Sequence, residues 1–145
     1  MSNTSWKRPE SVLVVVYTRA DEVLLLERTH PAGFWQSVTG SLHWDEQPAV
    51  AARRELLEET GITAEPRDCH LLNRFPILPA WRARYRPDVM ENIEHVFALE
   101  LPARCDIQLN PQEHSRYAWL DVATAAARCS SWTNANAIKK LRFKG

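Results

Sequence analysis

The segment from residue 40 to residue 62 constrains the fold of this chain more than any other. Pro48 suits the first turn of a helix, where its missing N–H would have no partner in any case. Gly61 suits the left-handed position just after a helix ends. Because residues 49–60 are mostly good helix formers, the segment predicts one helix with defined ends.

Three acidic side chains share one face of this predicted helix. Glu55, Glu58 and Glu59 stand at i, i+3 and i+4, which brings them together at the helical repeat. Like charges at this spacing destabilise a helix slightly, so the face becomes favourable when a hard cation binds it. The pattern therefore predicts a magnesium site, against the alternative of a solvated acidic surface. The side expected to pack on a sheet carries Ala49, Val50, Leu56 and Leu57.

Composition indicates one globular domain over residues 1–145. Eighteen basic and eighteen acidic residues cancel, which argues against nucleic acid as the main partner. No signal peptide, membrane span or obligate protein partner is evident. The three cysteines are far apart and form no CxxC pair, so we expect buried thiols in a reducing compartment and a cytoplasmic location. They are Cys69, Cys105 and Cys129.

Strands are expected before and after the acidic helix. Runs of β-branched and aromatic residues, or alternation of apolar and polar residues, predict these strands. They lie at residues 12–18, 23–27, 70–75, 92–101 and 117–120. Asp121 and Thr133 are expected to cap two short helices near the C-terminus. A proline-rich stretch at 76–87 predicts an irregular functional loop. Together these elements favour a mixed sheet covered by helices on both faces.

The acidic segment also resembles the signature of the Nudix hydrolases. That signature places Gly40, five residues, Glu46, seven residues and then Arg54-Glu55, followed by aliphatic-x-Glu-Glu-x-Gly-aliphatic. On these residues the chain is identified as a member of the family. The resemblance implies an α/β protein with the Nudix fold, an α/β/α sandwich with a mixed β-sheet. It also implies a magnesium-dependent enzyme, with manganese as a substitute, that cleaves a diphosphate linkage.

Segments outside the signature are similar to one bacterial branch of the family. They are residues 6–9, 34–40, 84–87, 119–121 and 131–134. This branch removes pyrophosphate from 7,8-dihydroneopterin triphosphate in folate biosynthesis, so we expect a small-molecule pterin triphosphate as substrate and dihydroneopterin monophosphate as product. One alternative is a pyrophosphatase acting on nucleoside triphosphates or deoxynucleoside triphosphates, with the same catalytic residues. A non-catalytic Nudix-fold binding module is less favoured, because such a module would be expected to lose carboxylates of the signature.

The resemblance implies roles for five residues of the reaction centre. Magnesium would be held by Glu55 and Glu59, with Glu58 and Glu113 as further ligands, and would activate a water. Glu58 is the first candidate for the general base and Glu113 the second. Arg54 would orient the glutamates by hydrogen bonds.

The resemblance also implies a set of substrate contacts. Lys7 and Arg28 would bind the triphosphate, although both could be plain surface charges, and Thr39 would offer a hydroxyl. The pocket for the heterocycle would be bordered by Phe75, Pro76, Ile77, Leu78 and Ser131. Aromatic faces suit flat heterocycles, so the tryptophans that could stack on the ring are Trp35, Trp81 and Trp132.

Overall fold

The computed structural model describes residues 6–142, which fold around one seven-stranded sheet. The strands are β1 (Glu10–Thr18), β2 (Glu22–Arg28), β3 (Trp35–Gln36), β4 (Val38–Ser41), β5 (Arg67–Pro76), β6 (Glu91–Leu101) and β7 (His114–Asp121). The helices are α1 (Pro48–Thr60), α2 (Val122–Arg128) and α3 (Trp132–Arg142), and a 3-10 helix spans Pro79–Arg84.

β1 is the central strand of the sheet. It runs parallel to β6 along its whole length and antiparallel to β2 and β4, so the sheet is mixed. On one side β1 pairs with β4 along residues 11–14, and with β2 only at Tyr17 and Val23. The N-terminal half of β1 therefore has β4 as its neighbour, and β4 leads directly into the loop before α1.

The two faces of the sheet have separate cores. Side chains alternate along a strand, so Val12 and Val14 point to one face and Leu13 and Val15 to the other. The first pair packs with Leu56 of α1. The second packs with residues of α2 and α3, including the buried Ile138. The predicted α/β/α sandwich with a mixed sheet is confirmed.

The predicted strands are present, each extended by one to three residues at one or both ends. The predicted bounds of α1 are confirmed, because Pro48 occupies the first turn and Gly61 ends the helix with a φ of 79°. Within the proline-rich stretch, residues 79–84 form the 3-10 helix instead of irregular loop. Among the helices that the structure describes, none has the length and apolar character needed to cross a bilayer.

The expected packing side of α1 is wrong in three of its four positions. Ala49, Val50 and Leu57 are exposed, with 50% of Leu57 accessible, whereas Ala51 and Ala52 are completely buried. The buried stripe consists of Ala51, Ala52, Glu55, Leu56, Glu59 and Thr60. The helix is thus rotated so that part of its acidic face, and not only its apolar side, lies against the sheet.

Two other expectations are also wrong. Thr133 does not cap α3, because the helix begins at Trp132 and the Thr133 hydroxyl lies 2.9 Å from that of Ser131. Cys105 is exposed in the loop after β6, because that loop leaves the sheet, whereas Cys69 and Cys129 are half-buried. Asp121 does precede α2, but its side chain makes no capping hydrogen bond.

Candidate active site

Gly40 and Glu55 form the closest approach between β4 and α1. A Cβ atom on residue 40 would lie 2.1 Å from the carboxyl carbon of Glu55, far inside van der Waals contact. Any side chain at this position would displace the Glu55 carboxylate. The glycine that begins the signature therefore leaves the space in which this carboxylate sits.

Arg54 fixes the acidic side chains around it. Its Nε and Nη2 atoms donate to the two carboxylate oxygens of Glu46 at 2.8 Å each, a bidentate pair. Its Nη1 atom donates to Glu55 at 3.0 Å and to Glu58 at 3.2 Å, and Nη2 also reaches the Ser41 carbonyl at 3.2 Å. The hydrogen bonds from Arg54 lower the pKa of Glu46 to about 2. Arg54 thus ties the loop before α1 to the acidic face of the helix.

Glu55 and Glu59 form a buried carboxyl pair. They are only 8% and 1% exposed, and they hydrogen bond to each other. Burial raises the pKa of both groups, and that of Glu59 well above its usual range, because a desolvated carboxylate loses its hydration. The Thr39 N–H, 3.4 Å from a Glu59 oxygen, offsets this only in part. A cation between the two carboxylates would remove the cost of keeping both ionised.

This pair fits a hard divalent cation, because it offers oxygen donors in a partly desolvated place. The other two predicted ligands lie at its margin. Glu58 has a side chain that is 49% exposed and bonded to Arg54. Glu113 is exposed and accepts a hydrogen bond from Asn110, but its charge reaches Glu59 and raises the pKa of that group. Within residues 6–142 no three His, Cys, Asp or Glu side chains are gathered as a ready-made metal site.

Lys7 lies beside the acidic pair and is half-buried. Its N–H donates to the Arg84 carbonyl at 2.9 Å, and its ammonium lies 5.8 Å from the centre of the Tyr85 ring. Burial lowers the pKa of Lys7, and the neighbouring charges of Arg84 and Arg28 lower it further. The carboxylates of Glu55 and Glu113 act in the opposite sense. Cations and acids therefore converge on one place, which is the charge pattern that a metal-bound polyphosphate requires.

Arg28 and Thr39 have partners that set their positions. Arg28 donates from Nε to the His30 carbonyl at 2.8 Å, and its guanidinium lies 5.5 Å from the centre of the Trp81 ring. The Thr39 hydroxyl donates to the Val12 carbonyl at 2.8 Å, so its hydrogen is already used. Thr39 can still accept a hydrogen bond, and its N–H points to the carboxyl pair.

The residues expected around the heterocycle lie on and after β5. Phe75 is half-buried, Ile77 is buried and donates its N–H to the Met90 carbonyl, and Pro76 and Leu78 are exposed. Ser131 lies before α3, on the face of the sheet that α3 covers, and its hydroxyl meets that of Thr133. Side chains alternate along an extended chain, so those of Phe75 and Ile77 point to one side of it and that of Pro76 points to the other.

The three tryptophans differ in what surrounds them. Trp35 is buried, and the guanidinium groups of Arg116 and Arg128 each lie 5.5 Å from its ring, so it serves packing. Trp132 is largely exposed at the start of α3. Trp81 is half-buried and meets the Phe34 ring edge to face at 5.8 Å.

Tyr85 belongs to this site although no sequence motif predicts its role. It is buried, carries Lys7 against its ring, and hydrogen bonds through its hydroxyl to the Ser41 side chain. It thereby joins the N-terminal Lys7 to the end of β4. Residues 84–87 resemble the bacterial branch of the family, but nothing in their local pattern indicates such a long-range contact.

Comparisons with known proteins agree with this geometry. The family model of the NUDIX domain matches residues 7–141. Dihydroneopterin triphosphate diphosphatase of Escherichia coli strain K12 is 40% identical over 147 residues, covering 97% of each chain. The protein of that name from Haemophilus influenzae is 37% identical over 144 residues, covering 95% of this chain and 90% of its own. The solved structure of the E. coli dihydroneopterin triphosphate pyrophosphohydrolase has a TM-score of 0.90 at 40% identity, over 97% of this chain and 99% of that one. The chain belongs to the NUDIX domain family.

Proposed function

We propose that this protein is a magnesium-dependent hydrolase that releases pyrophosphate from 7,8-dihydroneopterin triphosphate and leaves dihydroneopterin monophosphate. The relatives from E. coli and H. influenzae bear the name of that activity, and their identity with this chain extends over nearly its full length. The observation that carries the proposal is the meeting of the buried Glu55 and Glu59 pair with the half-buried Lys7. Such a site can neutralise a polyphosphate locally in a chain with no net charge.

Glu55 and Glu59 would hold the divalent cation, and Glu58 and Glu113 would complete its ligands. When bound, the cation supplies charge neutralisation at the phosphate oxygens and lowers the pKa of a water. Magnesium suits carboxylate oxygens, and manganese takes the same donors. The support for this assignment is the burial of two adjacent carboxyl groups, which is unfavourable without a cation or a shared proton.

Glu58 is the proposed proton acceptor. Its Oε1 atom accepts a hydrogen bond from Arg54, which leaves Oε2 to take the proton of the attacking water. As the water oxygen bonds to phosphorus, the bond to the leaving pyrophosphate breaks. Arg54 keeps Glu58 and Glu55 in place, because Glu46 anchors its guanidinium from the other side. Glu113 is the second candidate for the base.

Lys7 and Arg28 are the proposed contacts of the triphosphate. A partly desolvated ammonium binds a phosphate oxygen more strongly than an exposed one, because less water screens the pair. Burial, followed by the charges of Arg84 and Arg28, lowers the pKa of Lys7, so a phosphate oxygen bound beside the ammonium would stabilise its charged form. Thr39 would accept or relay a hydrogen bond beside these cations.

A competition assay tests the substrate assignment. Dihydroneopterin triphosphate and a nucleoside triphosphate are mixed at equal concentration in one tube with magnesium, and the loss of each is followed by chromatography. We expect the pterin triphosphate to disappear first and pyrophosphate to be the released product. Preferential loss of the nucleoside triphosphate would instead favour a nucleotide pyrophosphatase, and no turnover of either would favour a binding module.

The single domain over residues 1–145 and the cytoplasmic location remain predictions.

A further inference from the structure

A cluster of buried polar side chains lies on the face of the sheet that α3 covers. Its members are Ser11, Ser37, Asn92, Glu94, Thr133 and Asn134, and each is less than one tenth exposed. Most of this face is apolar, as the core around Leu13 and Ile138 shows. Buried polar groups are costly unless they are paired, so a cluster of this kind calls for an explanation.

Glu94 is the charged member of the cluster. Its carboxylate accepts a hydrogen bond from Asn73 Nδ2 at 3.2 Å and another from the Thr133 hydroxyl. None of the ion pairs found between residues 6 and 142 includes Glu94. Two carboxylate oxygens can accept about four hydrogen bonds. Glu94 therefore retains acceptor capacity for a ligand.

Asn92 supplies a second acceptor. Its Nδ2 atom donates to Ser11 Oγ at 2.8 Å and to the Ile93 carbonyl at 3.4 Å. Its Oδ1 atom is buried and has no hydrogen-bond partner among the described residues. Because Asn92 and Glu94 are two residues apart on β6, their side chains emerge on the same face of the sheet.

The cluster is linked to the candidate active site through Ser41, which points to the face of the sheet opposite that of Gly40. Glu94 lies in register with Ser11 on β1, and Ser11 lies in register with Ser41 on β4, next to Gly40. Ser41 in turn hydrogen bonds to Tyr85, whose ring carries Lys7.

The cluster also meets the residues expected to border the heterocycle. Phe75 is the register partner of Asn92 on β5. Ser131 contacts Thr133, and the Thr133 hydroxyl bonds to Glu94. The predicted pocket residues on β5 and before α3 therefore lie on either side of the two acceptors.

We propose that Glu94 and Asn92 recognise the 2-amino-4-oxopyrimidine edge of the substrate heterocycle, an inference that rests on the proposed function. Glu94 accepts the ring N–H and one hydrogen of the adjacent amino group, and Asn92 Oδ1 accepts the other amino hydrogen. Pterins and guanine both carry this edge. Hypoxanthine lacks the amino group, adenine and cytosine place a bare ring nitrogen beside theirs, and uracil has carbonyls on both sides of its N–H. A site of two acceptors therefore selects pterins and guanine, because the other rings leave buried acceptors without a hydrogen-bond donor.

Guanosine, inosine and adenosine triphosphates test this edge while the triphosphate stays constant. We expect the wild-type kcat/KM for the guanosine compound to exceed that for inosine by roughly 10- to 100-fold, because inosine lacks the amino group and leaves both buried acceptors without one of their hydrogen bonds. In Glu94→Gln one acceptor becomes a donor, so the ratio should fall to within about threefold of one. The matched control is Glu100→Gln, an exposed glutamate on the same face of β6, which should keep the wild-type ratio.

Equilibrium binding of the same nucleotides in EDTA, measured by calorimetry, separates recognition from catalysis. A guanosine-over-inosine preference in wild type that is lost in Glu94→Gln supports the inference, even if the protein shows no turnover. A lack of turnover would contradict only the proposed function. Equal wild-type affinities for the two nucleotides would overturn the inference without any variant. A folded Glu94→Gln protein that keeps the wild-type preference would overturn it as well. Asn92→Ala, which removes the unpaired acceptor, should weaken the preference in the same direction.

Discussion

The Glu55 carboxylate occupies the space that a side chain on residue 40 would fill, and it fits there because residue 40 is glycine. A Cβ on residue 40 would lie 2.1 Å from the Glu55 carboxyl carbon and 2.1 Å from its Oε2 atom. The signature thus encodes a steric relationship between β4 and α1 as well as a set of acids. The relationship explains why a glycine is needed some fifteen positions before the glutamate.

Gly40→Ala should lose at least about 100-fold in turnover, because the Glu55 carboxylate must move and a misplaced catalytic group costs about that much. Gly33→Ala is the control, since a Cβ at Gly33 meets nothing within 4 Å. Its φ of 84° strains any other residue, so this variant should lose stability and retain activity. Steady-state kinetics with thermal denaturation would distinguish the two, and an active Gly40→Ala enzyme would contradict the steric argument.

Glu59→Gln should abolish nearly all turnover while the fold persists, because the amide keeps the shape and removes the charge. A residual rate above about one tenth of wild type, a loss under about 1.4 kcal/mol, would show that Glu59 is no metal ligand. Glu65→Gln serves as control, since Glu65 is exposed and forms a surface ion pair with Arg53. Circular dichroism and kinetics on both variants provide the comparison.

The helix that carries these acids could be predicted because its signals are local. Pro48 and Gly61 act at their own positions, and residues 49–60 favour helix independently of the rest of the chain. Which of the three glutamates turns inward could not be predicted. A repeat of 3.6 groups Glu55, Glu58 and Glu59, whereas the packing of α1 on β4 buries Glu55 and Glu59 and leaves Glu58 at the margin.

The polar cluster on β6 was missed for a related reason. Alternation correctly predicts the strand, but it does not show that Asn92 and Glu94 occupy the covered face beside Ser11 and Thr133. Those neighbours come from β1 and α3, far away in sequence. Tyr85 is a similar case, because its partners Lys7 and Ser41 lie 78 and 44 positions before it. Long-range packing, which spacing cannot encode, determines these parts of the site.

Glu46 should make stability depend on pH in the acidic range. Its pKa is held at about 2 in the fold by Arg54, against a usual value of 4.5. The stabilisation is therefore fully present above pH 4.5 and is lost as the pH falls from 4.5 towards 2. It amounts to about 3 kcal/mol at most. Urea denaturation at pH 7 and at pH 3 should show that Glu46→Gln destabilises the protein much less at pH 3, and an equal difference at both pH values would contradict the Arg54 pairing.

Removal of metal by EDTA should abolish turnover, and magnesium should restore it, because the proposed donors are carboxylates without Cys or His partners. Manganese should restore activity too. Zinc should not be the required ion. Metal analysis of freshly purified active protein is the measurement, and tightly bound zinc at one ion per chain would contradict the assignment.

Lys7→Met should raise KM for the triphosphate and lower kcat/KM by roughly 10- to 150-fold, the range for a charge-assisted hydrogen bond to phosphate. Methionine keeps the length and the packing on Tyr85, so the fold should not suffer. Burial and the charges of Arg84 and Arg28 lower the pKa of Lys7, which means that the charged ammonium is destabilised before substrate binds. Removal of its charge should therefore leave the melting temperature unchanged or raise it. The control is Lys139→Met, an exposed lysine on α3 that should change neither quantity. If Lys7→Met instead unfolded the protein at unchanged KM, Lys7 would be a structural residue and the triphosphate would bind elsewhere.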